Sequence, residues 1–146
     1  MKIALAADHA GVELKDKVAE ILISKGHEIV DFGTKAKDSV DYPDFGLKAA
    51  RAVASGEADR AITVCMTGNG MNITVNKVKG IRAGLVLKTE MAYYTRLHND
   101  ANVMTLSSRY TDPAQIAEII DVFLTTEFEG GRHQRRVDKI VEAEKA

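Results

Sequence analysis

The chain has 146 residues, a length that suits one domain and is sufficient to bury a hydrophobic core. Its 20 Lys and Arg residues balance 21 Asp and Glu residues, so no overall basic field favours nucleic acid as a partner. No apolar run approaches membrane-spanning length, the one cysteine excludes an intramolecular disulfide, and the first residues have no signal-peptide pattern. We therefore expect a cytoplasmic protein that binds no membrane.

Strand and helix patterns alternate along the whole chain. The predicted strands cover about 2–7, 27–32, 61–65, 81–87 and 102–106. The predicted helices cover about 11–25, 43–55, 71–77 and 89–97. A further helix begins at Asp112-Pro113, and a charged last helix follows Gly130-Gly131. In the first helix the residues near one face are Val12, Leu14, Val18, Ile21 and Leu22. The alternation predicts a Rossmann-like three-layer sandwich, in which a five-stranded parallel sheet carries helices on both faces and an extra helix follows. We expect a single domain over residues 1–146, since no linker interrupts it.

The third strand ends at Cys65 and is followed by a turn that contains Gly68, Asn69 and Gly70. Ligands bind beyond the carboxyl ends of strands in open α/β sheets. A glycine-rich turn that enters a helix also points backbone N–H groups at an anion, and the helix N-terminus could lower the pKa of the Cys65 thiol. Alternatively, Cys65 is a small core residue and the glycines serve only the turn.

Other polar residues cluster at predicted strand ends and helix ends. Asp8 and His9 follow the first strand, where Asp8 could instead cap the next helix. Tyr42 precedes Pro43 and could equally be a half-buried loop aromatic. His98-Asn99-Asp100 ends a helix, where a histidine is often present only to meet the helix dipole.

Arg132 and Arg136 are four residues apart and share one face of the last predicted helix. Two neighbouring guanidinium groups repel each other unless an anion lies between them, and phosphate suits their geometry. The alternative is a solvated basic face with three apolar residues packed beneath it, Val137, Ile140 and Val141.

Together these residues indicate a site with a thiol for proton transfer, N–H donors for an oxyanion, a His–Asp pair and an arginine pair for phosphate. We expect no metal site, because the His and Asp residues lack ligand spacing and Cys65 has no cysteine partner. The GxxxxGK[ST] and GxGxxG motifs of nucleotide-binding loops are also absent.

The same residues resemble a known family, ribose-5-phosphate isomerase type B, which also contains galactose-6-phosphate, allose-6-phosphate and tetrose-phosphate isomerases. The motifs that carry the resemblance run in order from one end of the chain to the other: Asp8-His9, Asp41-Tyr42-Pro43, Cys65-x-Thr67-Gly68-x-Gly70, Asn76-Lys77, Gly80-Ile81-Arg82-Ala83, His98-Asn99-Asp100-Ala101-Asn102 and Gly130-Gly131-Arg132-His133.

The resemblance implies an aldose–ketose isomerase that works through a cis-enediolate without a metal or another cofactor. It implies that Cys65 is the base, that Thr67 moves protons between the C1 and C2 oxygens, and that His98, helped by Asp8, opens the furanose ring. It assigns the enediolate oxygens to backbone N–H groups of Gly68, Asn69, Gly70, Met71 and Asn72. The phosphate falls to His9, Arg109, Arg132 and Arg136, and the sugar hydroxyls to Tyr42 and Asn99.

The resemblance also implies a homodimer, or a dimer of dimers, in which the neighbouring subunit contributes the C-terminal arginines. Met66 stands where most relatives have glycine, Asn72 where many have serine, and Ser107-Ser108 where a glycine is common. Ribose 5-phosphate and ribulose 5-phosphate are the expected substrates. An allose, galactose or erythrose phosphate stays open as the substrate, and a catalytically silent partner subunit or a non-catalytic phosphate- or nucleotide-binding domain stays open as a function.

Overall fold

The computed structural model describes all residues from 1 to 146 and contains five parallel strands in the order β2-β1-β3-β5-β4. The strands are β1 (Lys2–Ala7), β2 (Glu28–Asp31), β3 (Arg60–Cys65), β4 (Ala83–Val86) and β5 (Val103–Ser107). The helices are α1 (Val12–Ser24), α2 (Tyr42–Ala54), α3 (Asn69–Val75), α4 (Thr89–Asn99), α5 (Ile116–Thr125) and α6 (Arg132–Ala143). The predicted fold is confirmed.

Alternation along the strands divides the core into two layers. Ile3, Leu5 and Ala7 face one layer, which α1, α4 and α5 complete, whereas Ala4 and Ala6 face the layer formed with α2 and α3. The strands are apolar on both faces because helices cover the sheet on both sides. None of the helices is long and apolar enough to cross a membrane.

The observed boundaries differ from the predicted ones at a few places that matter for the site. The helix after Cys65 begins at Asn69, two residues earlier than predicted, so the glycine turn leads into it directly. Helix α4 continues to Asn99, which places His98 inside its last turn. A 3₁₀ turn over Pro113–Gln115 precedes α5.

Candidate active site

The carboxyl ends of three adjacent strands bring three polar segments together. In the sheet register Ala7 pairs with Val64, and Cys65 pairs with Ser107. The segments that follow β1, β3 and β5 therefore leave the sheet side by side. The last two are also joined directly, since the Arg109 N–H donates to the Met66 carbonyl over 3.1 Å. Asp8-His9, the Cys65 turn and Arg109 thus meet at one edge of the sheet.

Cys65 lies at the centre of this edge, and its side chain is only 4% exposed. Burial raises the pKa of the Cys65 thiol above its ordinary value, and the nearby Asp8 carboxylate also raises it. Backbone N–H groups of Met71, Gly68 and Thr67 point at the sulfur and act in the opposite direction, but burial outweighs them. The expectation that the helix N-terminus lowers the pKa of this thiol is therefore wrong in its net direction.

The turn after Cys65 takes its shape from two glycines. Gly68 has a φ of +84°, a left-handed conformation that glycine adopts without strain, and it precedes the first residue of α3. At Gly70 a side chain would collide with Tyr42, since a Cβ there would lie 2.6 Å from the tyrosine hydroxyl oxygen. Tyr42 therefore covers the turn, and the Thr67 hydroxyl accepts a hydrogen bond from the Asn69 N–H over 3.2 Å.

Asp8 and His9 are both held in place by hydrogen bonds. The Asp8 carboxylate accepts from the N–H groups of Ala10 at 3.0 Å and Gly11 at 3.1 Å, so Asp8 does cap the 3₁₀ turn over His9–Gly11. The Nδ1 atom of His9 accepts from the Val40 N–H at 3.2 Å, which leaves Nε2 as the nitrogen that carries a proton in the neutral ring.

His98 and Asn99 lie at the opposite edge of the sheet from Cys65. Helix α4 begins beyond the carboxyl end of β4 and returns antiparallel to it, so its last residues reach the amino end. There the Arg82 Nε, just before β4, donates to the Asn99 carbonyl over 2.9 Å. Within one chain His98 consequently does not meet Asp8, although the two were expected to act together.

The start of α6 joins His98 at this far edge. Arg132 and Arg136 are exposed, and the His133 ring between them stacks on the His98 ring with centroids 4.1 Å apart. Of the three apolar residues expected beneath the helix, only Val137 is buried; Ile140 and Val141 remain 46% and 37% exposed.

Sequence reasoning gave no role to His133 or to Glu129. The Oε2 atom of Glu129 lies 3.4 Å from Nε2 of His133 and 3.9 Å from Nε2 of His98. The spacing of four residues between Glu129 and His133 was a usable signal, but the approach of His98 depends on how α4 packs against α6.

The side chains of His98, Glu129 and His133 are also the one group in the structure that could hold a metal ion, since their possible ligand atoms lie within 4.8 Å of one another. The two imidazole planes are only 14° apart, however, and the ligand lone pairs lie in those planes. Stacked rings direct their lone pairs side by side, so the arrangement does not converge on a common ion.

Two cavities are lined in part by residues of this far edge, and Cys65 lines neither of them. One of about 460 Å³ follows α4 past Lys88 and Tyr94 to His98. The other, of about 320 Å³, lies between α4 and α6 beside Arg82 and Asn99.

Comparison with known proteins identifies the family. A sequence model of the ribose/galactose isomerase family matches residues 3–140. The chain belongs to this family. It is 41% identical over 143 residues to the Escherichia coli (strain K12) ribose-5-phosphate isomerase B, covering 98% of this chain and 96% of that protein.

Solved structures of family members have the same fold. Ribose-5-phosphate isomerase B from Clostridium thermocellum matches with a TM-score of 0.97 and 50% identity, covering 99% of this chain and 98% of that one. The Mycoplasma genitalium enzyme, solved with bound ribulose-5-phosphate, matches with a TM-score of 0.93 and 42% identity, covering 99% and 96%.

Proposed function

We propose that this protein interconverts ribose 5-phosphate and ribulose 5-phosphate, with Cys65 as the base. The observation that carries the proposal is the Cys65 sulfur, buried at a strand end and faced by backbone N–H groups of the glycine turn. The family and the relative that binds ribulose-5-phosphate support the choice of substrate.

In the proposed reaction the Cys65 thiolate removes the proton from C2 of the open-chain aldose. The electron pair left on C2 forms the C1–C2 double bond of an enediolate, whose oxygens accept hydrogen bonds from N–H groups of the turn. Thr67 moves a proton from the C2 oxygen to the C1 oxygen, and the Cys65 thiol then protonates C1 to give the ketose. A well-placed base is worth roughly 10²–10⁴ in rate, and one oxyanion donor about 2.7–4 kcal/mol.

The remaining roles need side chains from both edges of the sheet. Cys65, Asp8 and His9 lie at one edge, whereas His98 and Arg136 lie at the other, too far to act on the same sugar within one chain. We therefore infer a site shared by two subunits, in which one subunit supplies the base and the other supplies His98 for ring opening, Asn99 for a hydroxyl, and the arginines for phosphate.

The shared site fits the distribution of charge and apolar surface. Arg132 and Arg136 are exposed on the same helix that leaves Ile140 and Val141 uncovered. A second subunit would cover that apolar surface and bring the two guanidinium groups to a phosphate. Arg109 and His9, at the carboxyl edge of the first subunit, would bind the same phosphate from the other side.

The test is turnover of ribose 5-phosphate by the purified protein and by Cys65→Ala. We expect ribulose 5-phosphate from the wild type and a loss of about 10²–10⁴ in kcat for the variant, the usual contribution of a base. Cys65→Ser keeps the size of the side chain and should also be inactive, because a hydroxyl is a much weaker acid than a thiol. An alanine variant with the wild-type rate would make Cys65 only a core residue.

A further inference from the structure

The His133 ring has a defined neighbour on its face and at one nitrogen, whereas its other nitrogen makes no hydrogen bond. Its side chain is buried, its face stacks on His98 at 4.1 Å, and its Nδ1 lies 3.4 Å from the Nη1 of Arg136. Its Nε2 is fully buried, has no hydrogen-bond partner, and lies 3.4 Å from the Glu129 carboxylate. Buried polar atoms without a hydrogen-bond partner are few in folded proteins, and each calls for an explanation.

The contact with Arg136 fixes which nitrogen of His133 carries the proton. A guanidinium group only donates hydrogen bonds, so Nδ1 of His133 must accept. The neutral ring then carries its proton on Nε2, on the side of the Glu129 carboxylate. Burial lowers the pKa of His133, and the neighbouring His98, Arg132 and Arg136 lower it further against the opposing effect of Glu129. His133 is therefore neutral around pH 7.

A neutral ring is also what this place requires. A second proton would occupy Nδ1, remove the acceptor that faces Arg136, and place a cation against a guanidinium group. The neutral ring instead offers a flat surface to His98 and a lone pair to Arg136. These are two groups with different tasks in the proposed reaction, namely opening the sugar ring and binding the phosphate.

We propose that His133 is a positioning residue, whose ring face holds His98 in its working orientation and whose Nδ1 orients the Arg136 guanidinium. The inference rests on the proposed function, since it assumes that His98 acts on the sugar and Arg136 on the phosphate. It adds a residue that contacts neither the sugar nor the phosphate, but that places His98 and Arg136 relative to each other.

Two substitutions separate the two contacts. His133→Phe keeps an aromatic face for His98 but has no acceptor for Arg136. His133→Asn keeps a carbonyl oxygen close to the position of Nδ1 but has no ring. Circular dichroism and thermal unfolding establish that each variant folds before its kinetics are compared.

We expect each variant to change a different kinetic constant, KM in His133→Phe and kcat in His133→Asn. His133→Phe should raise KM for ribose 5-phosphate by roughly tenfold, the lower end for a lost hydrogen bond to a charged group, and should largely keep kcat. His133→Asn should lower kcat by about 10²-fold, as expected when a reacting group is misplaced by about 1 Å, with KM nearly unchanged. A purely structural role would change the same constants in both variants, and that result, or wild-type kinetics in both, would overturn the proposal.

A double variant tests whether His133 acts through His98. In a His98→Asn background the His133→Asn substitution should cost no further kcat, because residues that act as a unit are not additive. Full additivity would contradict the proposed stacking role.

The protonation state can be measured without any turnover. In ¹⁵N spectra of the four histidine rings, His133 should show a protonated Nε2 and an unprotonated Nδ1 near pH 7. A proton on Nδ1 would overturn the inference even in an active isomerase. Conversely, failure of the wild type to convert ribose 5-phosphate would refute the proposed function and leave this spectroscopic result standing.

Discussion

At the scale of single residues, Cys65 is subject to two opposing effects. Burial disfavours its thiolate, whereas N–H groups of Met71 and Gly68 favour it, and the net effect raises the pKa of the thiol. The residue is therefore mainly a thiol at neutral pH. Because the proposed reaction uses the thiolate, the rate should rise with pH until the pH exceeds this raised pKa.

The raised pKa can be tested without substrate, because Cys65 is the only cysteine of the chain. We expect its alkylation by iodoacetamide to be slow at neutral pH and to reach half its limiting rate above pH 9.0, the ordinary value for the thiol. The sign follows from the mechanism of alkylation, in which only the thiolate reacts. A cysteine-containing peptide of the same concentration is the control. A midpoint below that of the peptide would mean that the N–H groups outweigh burial.

Met66 directly follows Cys65 and is exposed at the surface. Its side chain is 46% exposed, while its carbonyl is fixed by the Ser107 hydroxyl at 2.6 Å. If the methionine narrows the site, ribose 5-phosphate should have a higher kcat/KM than allose 6-phosphate. Met66→Gly should reduce that preference, by about 1–3 kcal/mol for each methylene-sized mismatch that it relieves.

The measurement is kcat/KM for both sugar phosphates in the wild type and in Met66→Gly. Ile73→Ala is the control, since Ile73 is also an exposed apolar residue, 62% exposed, and lies in α3; it should leave the ratio unchanged. A wild-type preference for allose 6-phosphate, or an unchanged ratio in Met66→Gly, would show that Met66 does not set the length of the substrate.

At the scale of elements, periodicity predicted all five strands and the helices between them, but it did not predict which side chains α1 buries. The predicted face included Leu14 and Ile21, which are only partly buried. Lys15 is completely buried instead, because its ammonium group pairs with Asp31 at 2.6 Å. Hydrophobic patterning treats lysine as a surface residue, so it cannot predict a buried ion pair between two separate elements.

The ion pair makes α1 depend on the end of β2. Lys15→Ala should lower the free energy of unfolding by about 3 kcal/mol, because it leaves the Asp31 carboxylate without its partner. This is the lower end of the usual range of about 3–5 kcal/mol, since 20% of the Asp31 side chain is exposed to water. Lys17→Ala makes the same substitution on the exposed side of α1 and should change it by less than about 0.5 kcal/mol. Urea unfolding compares the two, and equal losses would mean that the pair adds no stability.

At the scale of the whole molecule, the position of only one half of the candidate site could be predicted from the sequence. The groups after β1, β3 and β5 could be predicted to meet, since parallel strands end at a common edge. The other half could not be located from sequence. Whether His98 ends up near Cys65 depends on the length and direction of α4, and its contact with His133 depends on the packing of α6, which no local pattern encodes.

The separation of the two halves has a direct consequence if the active unit is a dimer. Cys65→Ala and Arg136→Ala should each be nearly inactive alone but should recover activity when they are unfolded and refolded together. In a mixed dimer one site then inherits both substitutions and the other inherits neither. With random pairing half of the dimers are mixed, so roughly a quarter of all sites are intact. Refolding is needed because subunits of an obligate dimer do not exchange freely.

The control for this experiment is Cys65→Ala refolded with Thr67→Ala. Both substitutions lie in the same half of the site, but on different chains of a mixed dimer, so every site carries one of them and no activity should return. Native mass spectrometry measures the fraction of mixed dimers in each sample. Recovery near a quarter of the wild-type rate only in the Cys65→Ala and Arg136→Ala mixture requires that one site uses residues from two chains. Mixed dimers without recovered activity would place the arginine in the site of its own chain.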